Sequence, residues 1–189
     1  MLRIITGTAK GKKLKTLEGE ATRPTSERIK EAVFSAIQFD IEDRRILDLF
    51  AGSGQMGLEA LSRGAREVMF IDSSREAMEI VKENARSVGF FDKCRYLVSD
   101  YRNYIRKASG KVKFDLVFID PPYAMQCSLD ALFRLRDAGL LENGAIAVLE
   151  SGEEEIDLDS LDSDFEVMKS THYGKKSFVN ILLYKESEK

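Results

Sequence analysis

From residue 45 onward, short apolar runs alternate with longer stretches of amphipathic spacing. Ile46-Leu47-Asp48-Leu49-Phe50, Val68-Met69-Phe70-Ile71, Arg95-Tyr96-Leu97-Val98, Phe114 to Ile119 and Ala145 to Glu150 predict five strands. The fourth, Phe114-Asp115-Leu116-Val117-Phe118-Ile119, reads as buried on both faces. Gln55 to Arg63, Ser74 to Val88, Tyr101 to Lys107 and residues 128 to 138 predict the intervening helices. Such alternation implies an α/β fold, a parallel sheet covered by helices with right-handed crossovers. Phe165 to Tyr173 and Phe178 to Tyr184 then flank Gly174-Lys175-Lys176. That turn is too short for a parallel crossover, so these two strands form an antiparallel hairpin at a sheet edge. The expected sheet is seven-stranded and mostly parallel.

Upstream, the pattern differs. Leu2, Ile4 and Ile5 precede Thr6-Gly7-Thr8-Ala9-Lys10-Gly11, and Lys12 to Leu17 return, which predicts a small β-hairpin over residues 2 to 16. Residues 18 to 24 read as a loop ending at Arg23-Pro24. Thr25 or Ser26 caps a helix running to about Gln38, with Ile29, Ala32, Val33, Ala36 and Ile37 on one face. The expected division is an N-terminal extension and loop, 1–24, and a main domain, 25–189.

Composition narrows the class. A hydrophobic fraction of 43% over 189 residues suffices for the core of one ordinary domain. No apolar run reaches the ~18 residues of a membrane span, and the N-terminus lacks a secretory pattern, so a cytoplasmic protein is expected. Cys94, Cys127 and the single His172 form no metal set, and the thiols read as reduced. His172 falls in the edge hairpin, a poor place for a catalytic base.

The net charge of −3 argues against a nucleic-acid partner, but its distribution argues for one. Residues 1 to 30 carry eight basic side chains against three acids, whereas residues 140 to 164 carry nine acids and no base. Glu153-Glu154-Glu155 reads as solvated surface. The Lys/Gly-rich arm reads as phosphate-facing.

Two stretches carry chemistry. Gly52, Gly54 and Gly57 have G-x-G-x-x-G spacing between a strand and a helix, the context of a nucleoside-binding loop. Asp72 ends the next strand, about twenty residues past the first glycine, where a carboxylate meets a ribose diol. Asp48 lies four residues before Gly52. An acid there suits an ammonium-bearing cofactor such as S-adenosylmethionine (SAM) better than a pyrophosphate. Asp100 ends the third strand and could accept from an adenine amine, with Tyr101 beside it, or could cap the next helix.

The second stretch is Asp120-Pro121-Pro122-Tyr123, after the fourth strand. Two prolines force a stiff extended exit from the sheet. A carboxylate, a rigid carbonyl and an aromatic plane can hold a flat ring bearing an NH2 group, its hydrogens on Asp120 and the Pro121 carbonyl and its face on Tyr123. Alone, the stretch is better read as a proline turn that ends a strand. Its place beside the glycine loop makes it a candidate catalytic site.

The loop Asp48-x-x-Ala51-Gly52-Ser53-Gly54, Asp72 and the Asp120-Pro121-Pro122-Tyr123 turn resemble class I SAM-dependent amino-methyltransferases. Arg3-Ile4-Ile5-x-Gly7, Gly11-x-Lys13-Leu14, Arg23-Pro24-Thr25, Glu31-x-x-Phe34 and Gly57-Leu58-Glu59-Ala60-Leu61-Ser62-Arg63-Gly64-Ala65 resemble the RsmD family more narrowly. The pattern departs once, where Asp72-Ser73-Ser74 replaces Glu-x-Asp. The resemblance implies a Rossmann-like fold and methylation of guanine N2 in 16S ribosomal RNA within the small ribosomal subunit. It also implies SAM as methyl donor, S-adenosylhomocysteine (SAH) as product and no metal. Cofactor contacts are then expected from Asp48, Phe50, Ala51, Gly52, Ser53, Gly54, Asp72, Ser73, Asp100 and Tyr101. RNA contacts are expected from Arg3, Lys10, Lys12, Lys13 and Arg23, and the protein is expected to be monomeric. Residues 120 to 123 serve adenine N6 equally well, so an adenine methyltransferase is the alternative. A nicotinamide oxidoreductase and a noncatalytic RNA-binding factor are the more distant ones.

Overall fold

Apolar residues that neighbour one another along the strands separate onto the two faces of one sheet. A computed structural model describes residues 2–17, 24–122, 125, 127–152, 157–174 and 177–186. Arg23, Tyr123, the Glu153 to Glu155 run and the Lys175-Lys176 turn lie outside the described residues. The elements are α1 (Pro24–Ala36), β1 (Arg45–Asp48), α2 (Gln55–Ser62), β2 (Glu67–Asp72), α3 (Arg75–Val88), β3 (Cys94–Val98), α4 (Tyr101–Ala108), β4 (Phe114–Ile119), α5 (Ser128–Asp137), β5 (Leu141–Ser151), β6 (Phe165–Tyr173) and β7 (Ser177–Tyr184).

The seven strands form one sheet in the order β3-β2-β1-β4-β5-β7-β6. The first five are parallel, and β7 runs antiparallel to both β5 and β6. The C-terminal pair is the expected edge hairpin, with β7 inserted between β5 and β6. The order reverses at β1 and β4, which places the switch point between the residues that follow Asp48 and Ile119.

On one face, Ile46, Val68, Phe70, Leu116 and Phe118 pack with residues of α1, α2 and α3. On the other, Leu47, Ile71, Val117 and Ile119 pack with residues of α4 and α5. At Gly57 α2 lies close against the sheet: a Cβ there would fall 2.5 Å from the Phe70 ring.

Three boundaries differ from expectation. α1 starts at Pro24, so Thr25 and Ser26 lie inside the helix rather than capping it. Proline has helical φ and no N–H to leave unpaired, so it suits a first turn. β5 begins four residues early, because Leu141 pairs with Phe114 ahead of an irregularity in the register. The N-terminal hairpin is reduced to one bridge, Arg3 to Lys13, supported by Ile4 N to Lys12 O, Gly11 N to Ile4 O and Leu14 N to Leu2 O. Its apolar residues Leu2, Ile4, Ala9 and Leu14 sink into the core instead of forming a sheet of their own.

Candidate active site

Asp48 closes β1 and is 4% exposed. Gly57 N–H donates to its Oδ2 at 3.1 Å, and no cation among the described residues lies within ion-pair range of it. Burial pushes its carboxyl up to about 8, with the neighbouring Asp120 and Asp72 adding like charge. A buried carboxylate that feels the charge of two others is a site for a cation. The ammonium of a SAM-like molecule fits that need. Asp48 stands in register with Phe118, two residues before Asp120, so the two acids flank the switch point.

The glycine loop leaves β1 through Leu49 N to Phe118 O and Ala51 N to Ile71 O. Gly54 takes the left-handed conformation, φ +77°, and a Cβ there would meet the Val81 methyls at 3.0 Å. Both facts require glycine at this bend. Asp72 braces the loop by accepting from Gly52 N at 2.9 Å, and its other oxygen accepts from Ser74 N at 2.8 Å. Any bond from Asp72 to a ribose would therefore use the remaining lone pairs of oxygens already held in place. Ser73 is exposed beside it.

Asp100 is the N-cap of α4, accepting from Arg102 N at 2.9 Å and Asn103 N at 3.3 Å. Of its two readings, the cap is thus present in the fold. Tyr101 is 2% exposed, packs its ring on Phe50 at 5.3 Å and donates its hydroxyl to Asp130 at 2.6 Å. Its phenol is held well above the ordinary range, first by burial and then by the bond to Asp130. Of the two rings, Tyr101 is buried and Phe50 half-buried.

Across the switch, Asp120 is exposed and Pro121 buried. The Pro122 carbonyl accepts from Met125 N at 2.8 Å.

The arm is fastened to this site by groups that pattern reading passed over. Glu59, fully buried on α2, accepts from Ile5 N at 2.7 Å, Thr6 N at 3.0 Å and Arg63 Nε at 2.9 Å. Lys30, 1% exposed, lies 3.6 Å from Glu59 and donates to Arg3 O at 2.6 Å. Burial draws its ammonium below the ordinary lysine value, and Glu59 opposes that pull. Ser62 donates to Thr6 O at 2.6 Å and accepts from Ala9 N at 2.9 Å. At Gly7, φ +88°, a Cβ would fall 1.8 Å from Ser62 O, so the arm and α2 touch backbone to backbone. Asn84 of α3 reaches both Lys15 of the arm and Ser53 of the glycine loop. The sequence signal for Glu59 is a single acid inside the apolar run Leu58 to Leu61.

The expected RNA contacts differ in their surroundings. Arg3 pairs with Glu27 at 2.9 Å, and Lys12 Nζ donates to Val88 O at 3.1 Å. Lys10 and Lys13 are exposed, with no ion pair among the described residues. His172 stacks on Phe178 at 4.2 Å in the edge hairpin, away from the switch point.

A family model described as Conserved hypothetical protein 95 matches residues 2–182. The "Putative rRNA methyltransferase YlbH" of Bacillus subtilis is 34% identical over 187 residues, 98% of this chain and 99% of that protein. The "Ribosomal RNA small subunit methyltransferase D" of Haemophilus influenzae is 31% identical over 151 residues, 79% and 78% of the two chains. Among solved structures, "Putative methyltransferase yhhF" of Escherichia coli superposes with a TM-score of 0.85 at 27% identity, covering 98% of this chain and 99% of that one. The chain therefore belongs to the Conserved hypothetical protein 95 family, the RsmD family whose motifs its sequence carries.

Proposed function

We propose that this chain transfers the methyl group of SAM to the exocyclic N2 of a guanine in 16S ribosomal RNA of the small subunit, leaving SAH. The observation that carries this reading is the buried, cation-seeking Asp48 on one side of the switch point, with Asp120-Pro121 directly across it. The relatives named for ribosomal RNA methylation supply the substrate class.

SAM, when bound, supplies a methyl group already activated by its sulfonium. Asp48 would hold the ammonium, the loop from Phe50 to Gly54 the body of the molecule, and Asp72 with Ser73 the ribose. Asp100 and Tyr101 border the adenine end. The exocyclic amine of guanine is a weak nucleophile, because its lone pair is delocalised into the ring. Accepting its two hydrogens at Asp120 and the Pro121 carbonyl favours a pyramidal nitrogen whose lone pair is free to attack. Positioning of this kind contributes up to about 7–11 kcal/mol in the best cases. The base must be unpaired or flipped, with Tyr123 as its stacking partner. The proton released after alkylation goes to Asp120 or water. Arg3, Lys10, Lys12, Lys13 and Arg23 would meet RNA phosphates, as a monomer working in the cytoplasm. Among the described residues no helix is long and apolar enough to cross a membrane, and no three His, Cys, Asp or Glu side chains group as a metal site.

The test is a labelled-methyl assay on small ribosomal subunits from a strain lacking the modification, followed by nucleoside analysis. N2-methylguanosine is expected; N6-methyladenosine would replace this reading with the adenine one. Asp120→Ala should lose turnover while retaining SAM binding; a variant without turnover that still restores wild-type function in a strain lacking the protein would make the protein a noncatalytic RNA binder. Asp120→Asn, which still accepts one hydrogen bond, should keep more activity than Asp120→Ala.

A further inference from the structure

Asn84 lies in the C-terminal half of α3, 1% exposed, with both of its N–H groups and its carbonyl engaged. Its Oδ1 accepts from Lys15 N at 2.8 Å, and its Nδ2 donates to Lys15 O at 3.0 Å. The side chain thus pairs with the arm as a neighbouring strand would. The same Nδ2 donates to Ser53 O at 2.9 Å, between Gly52 and Gly54. The return limb of the arm is laid along α3 by two further contacts, Lys15 Nζ to Glu83 at 2.6 Å and Lys12 Nζ to Val88 O at 3.1 Å. The glycine loop is held on its other side by Asp72. One buried amide is therefore shared between the segment read as meeting RNA and the segment read as meeting the cofactor.

We propose that Asn84 is a positioning residue that couples the two substrates: occupancy of the glycine loop tightens RNA binding at the arm, and RNA tightens cofactor binding, through Lys15, Asn84 and Ser53. The inference rests on the methyltransferase reading above and adds to it an order of affinity. A ligand that fixes the Ser53 carbonyl fixes the donor direction of Asn84, and with it the backbone of Lys15. Lys13, two residues away and paired with Arg3, is placed by the same bond. The second ligand then meets a segment already ordered, so each binds more tightly with the other present. Reciprocity follows from thermodynamic linkage.

The experiment measures the affinity of the full chain for unmodified small ribosomal subunits, with and without saturating SAH. Wild type should bind at least about fivefold more tightly with SAH, the low end of ordinary coupling. Asn84→Ala should bring that ratio close to one. Lys15→Pro removes the backbone donor to Asn84 Oδ1 together with the side-chain contact to Glu83 and should do the same, while Lys15→Ala loses that side-chain contact alone, keeps the donor and should keep the wild-type ratio. Cooperative melting confirms that each variant folds, and Lys15→Pro decides the matter if Asn84→Ala does not. A wild-type ratio near one, or a ratio that survives the loss of Asn84 or of the Lys15 N–H, overturns the coupling while leaving the methyltransferase reading intact. Wild-type protein that binds neither SAH nor subunits overturns both.

Discussion

Asp48 keeps its proton in the folded chain from about pH 4 to about pH 8, where an ordinary carboxylate is already ionised. Its carboxyl titrates at about 8, raised chiefly by burial, whereas an unfolded chain titrates near 4. Between those values the folded state holds a proton that the unfolded chain has released. This contribution to stability is therefore present at low pH, declines as pH rises toward 8, and levels off above. A cationic ligand reverses the preference by favouring the carboxylate. Between about pH 5 and about pH 7, where a ligand ammonium stays charged, SAH affinity should rise toward about tenfold per pH unit. Titration calorimetry checks this, with Asp48→Asn expected to give weak, pH-independent binding. A flat wild-type profile would mean that Asp48 does not ionise on binding. The acids at the strand ends were legible in the sequence, because strand, loop and acid recur in one local order. Asn84 was not, and Glu59 showed only as a lone acid in an apolar run. Their partners are backbone groups of the arm, more than fifty residues away, and no local spacing encodes them.

The elements show where pattern reading succeeds. β1 to β4 and their helices follow local periodicity and lie within a residue or two of expectation. The arm has no comparable pattern, since it takes its shape from α2 rather than from its own pairing. Its anchor is Glu59, which balances Lys30 and gathers the Ile5 and Thr6 amides. Glu59→Gln keeps the side-chain shape but leaves a buried ammonium without a counter-charge. Removing one partner of such a pair costs about 3–5 kcal/mol. Urea denaturation should show a loss of that size near neutral pH, shrinking at high pH as Lys30 sheds its proton. A loss below about 0.5 kcal/mol, the range of ordinary surface changes, would show that the charges are not coupled.

At the scale of the whole molecule, the acidic total hides a basic arm. The arm residues are not equivalent, because Arg3 and Lys12 are engaged within the protein whereas Lys10 and Lys13 project outward. Replacing Lys10 and Lys13 together by alanine should lower the slope of log affinity against log salt for RNA by roughly 1.4–1.8. Arg3→Ala should change it less, since Glu27 already offsets that charge. Filter binding over a salt series separates the two outcomes, and equal slopes in all variants would take the arm out of the RNA interface.

The place of β7 between β5 and β6 bears on how the chain is made. β6 is synthesised first, yet it has no partner in the sheet until β7 follows it. Translation adds roughly 5–20 residues per second, so a nascent chain holds β6 ready while the edge of β5 stands open. The β6–β7 pair can join the sheet only through β7, on the open edge of β5. A ribosome stalled within β7 would therefore carry a cofactor-binding half that is nearly built, beside an unpaired strand edge prone to the wrong partner.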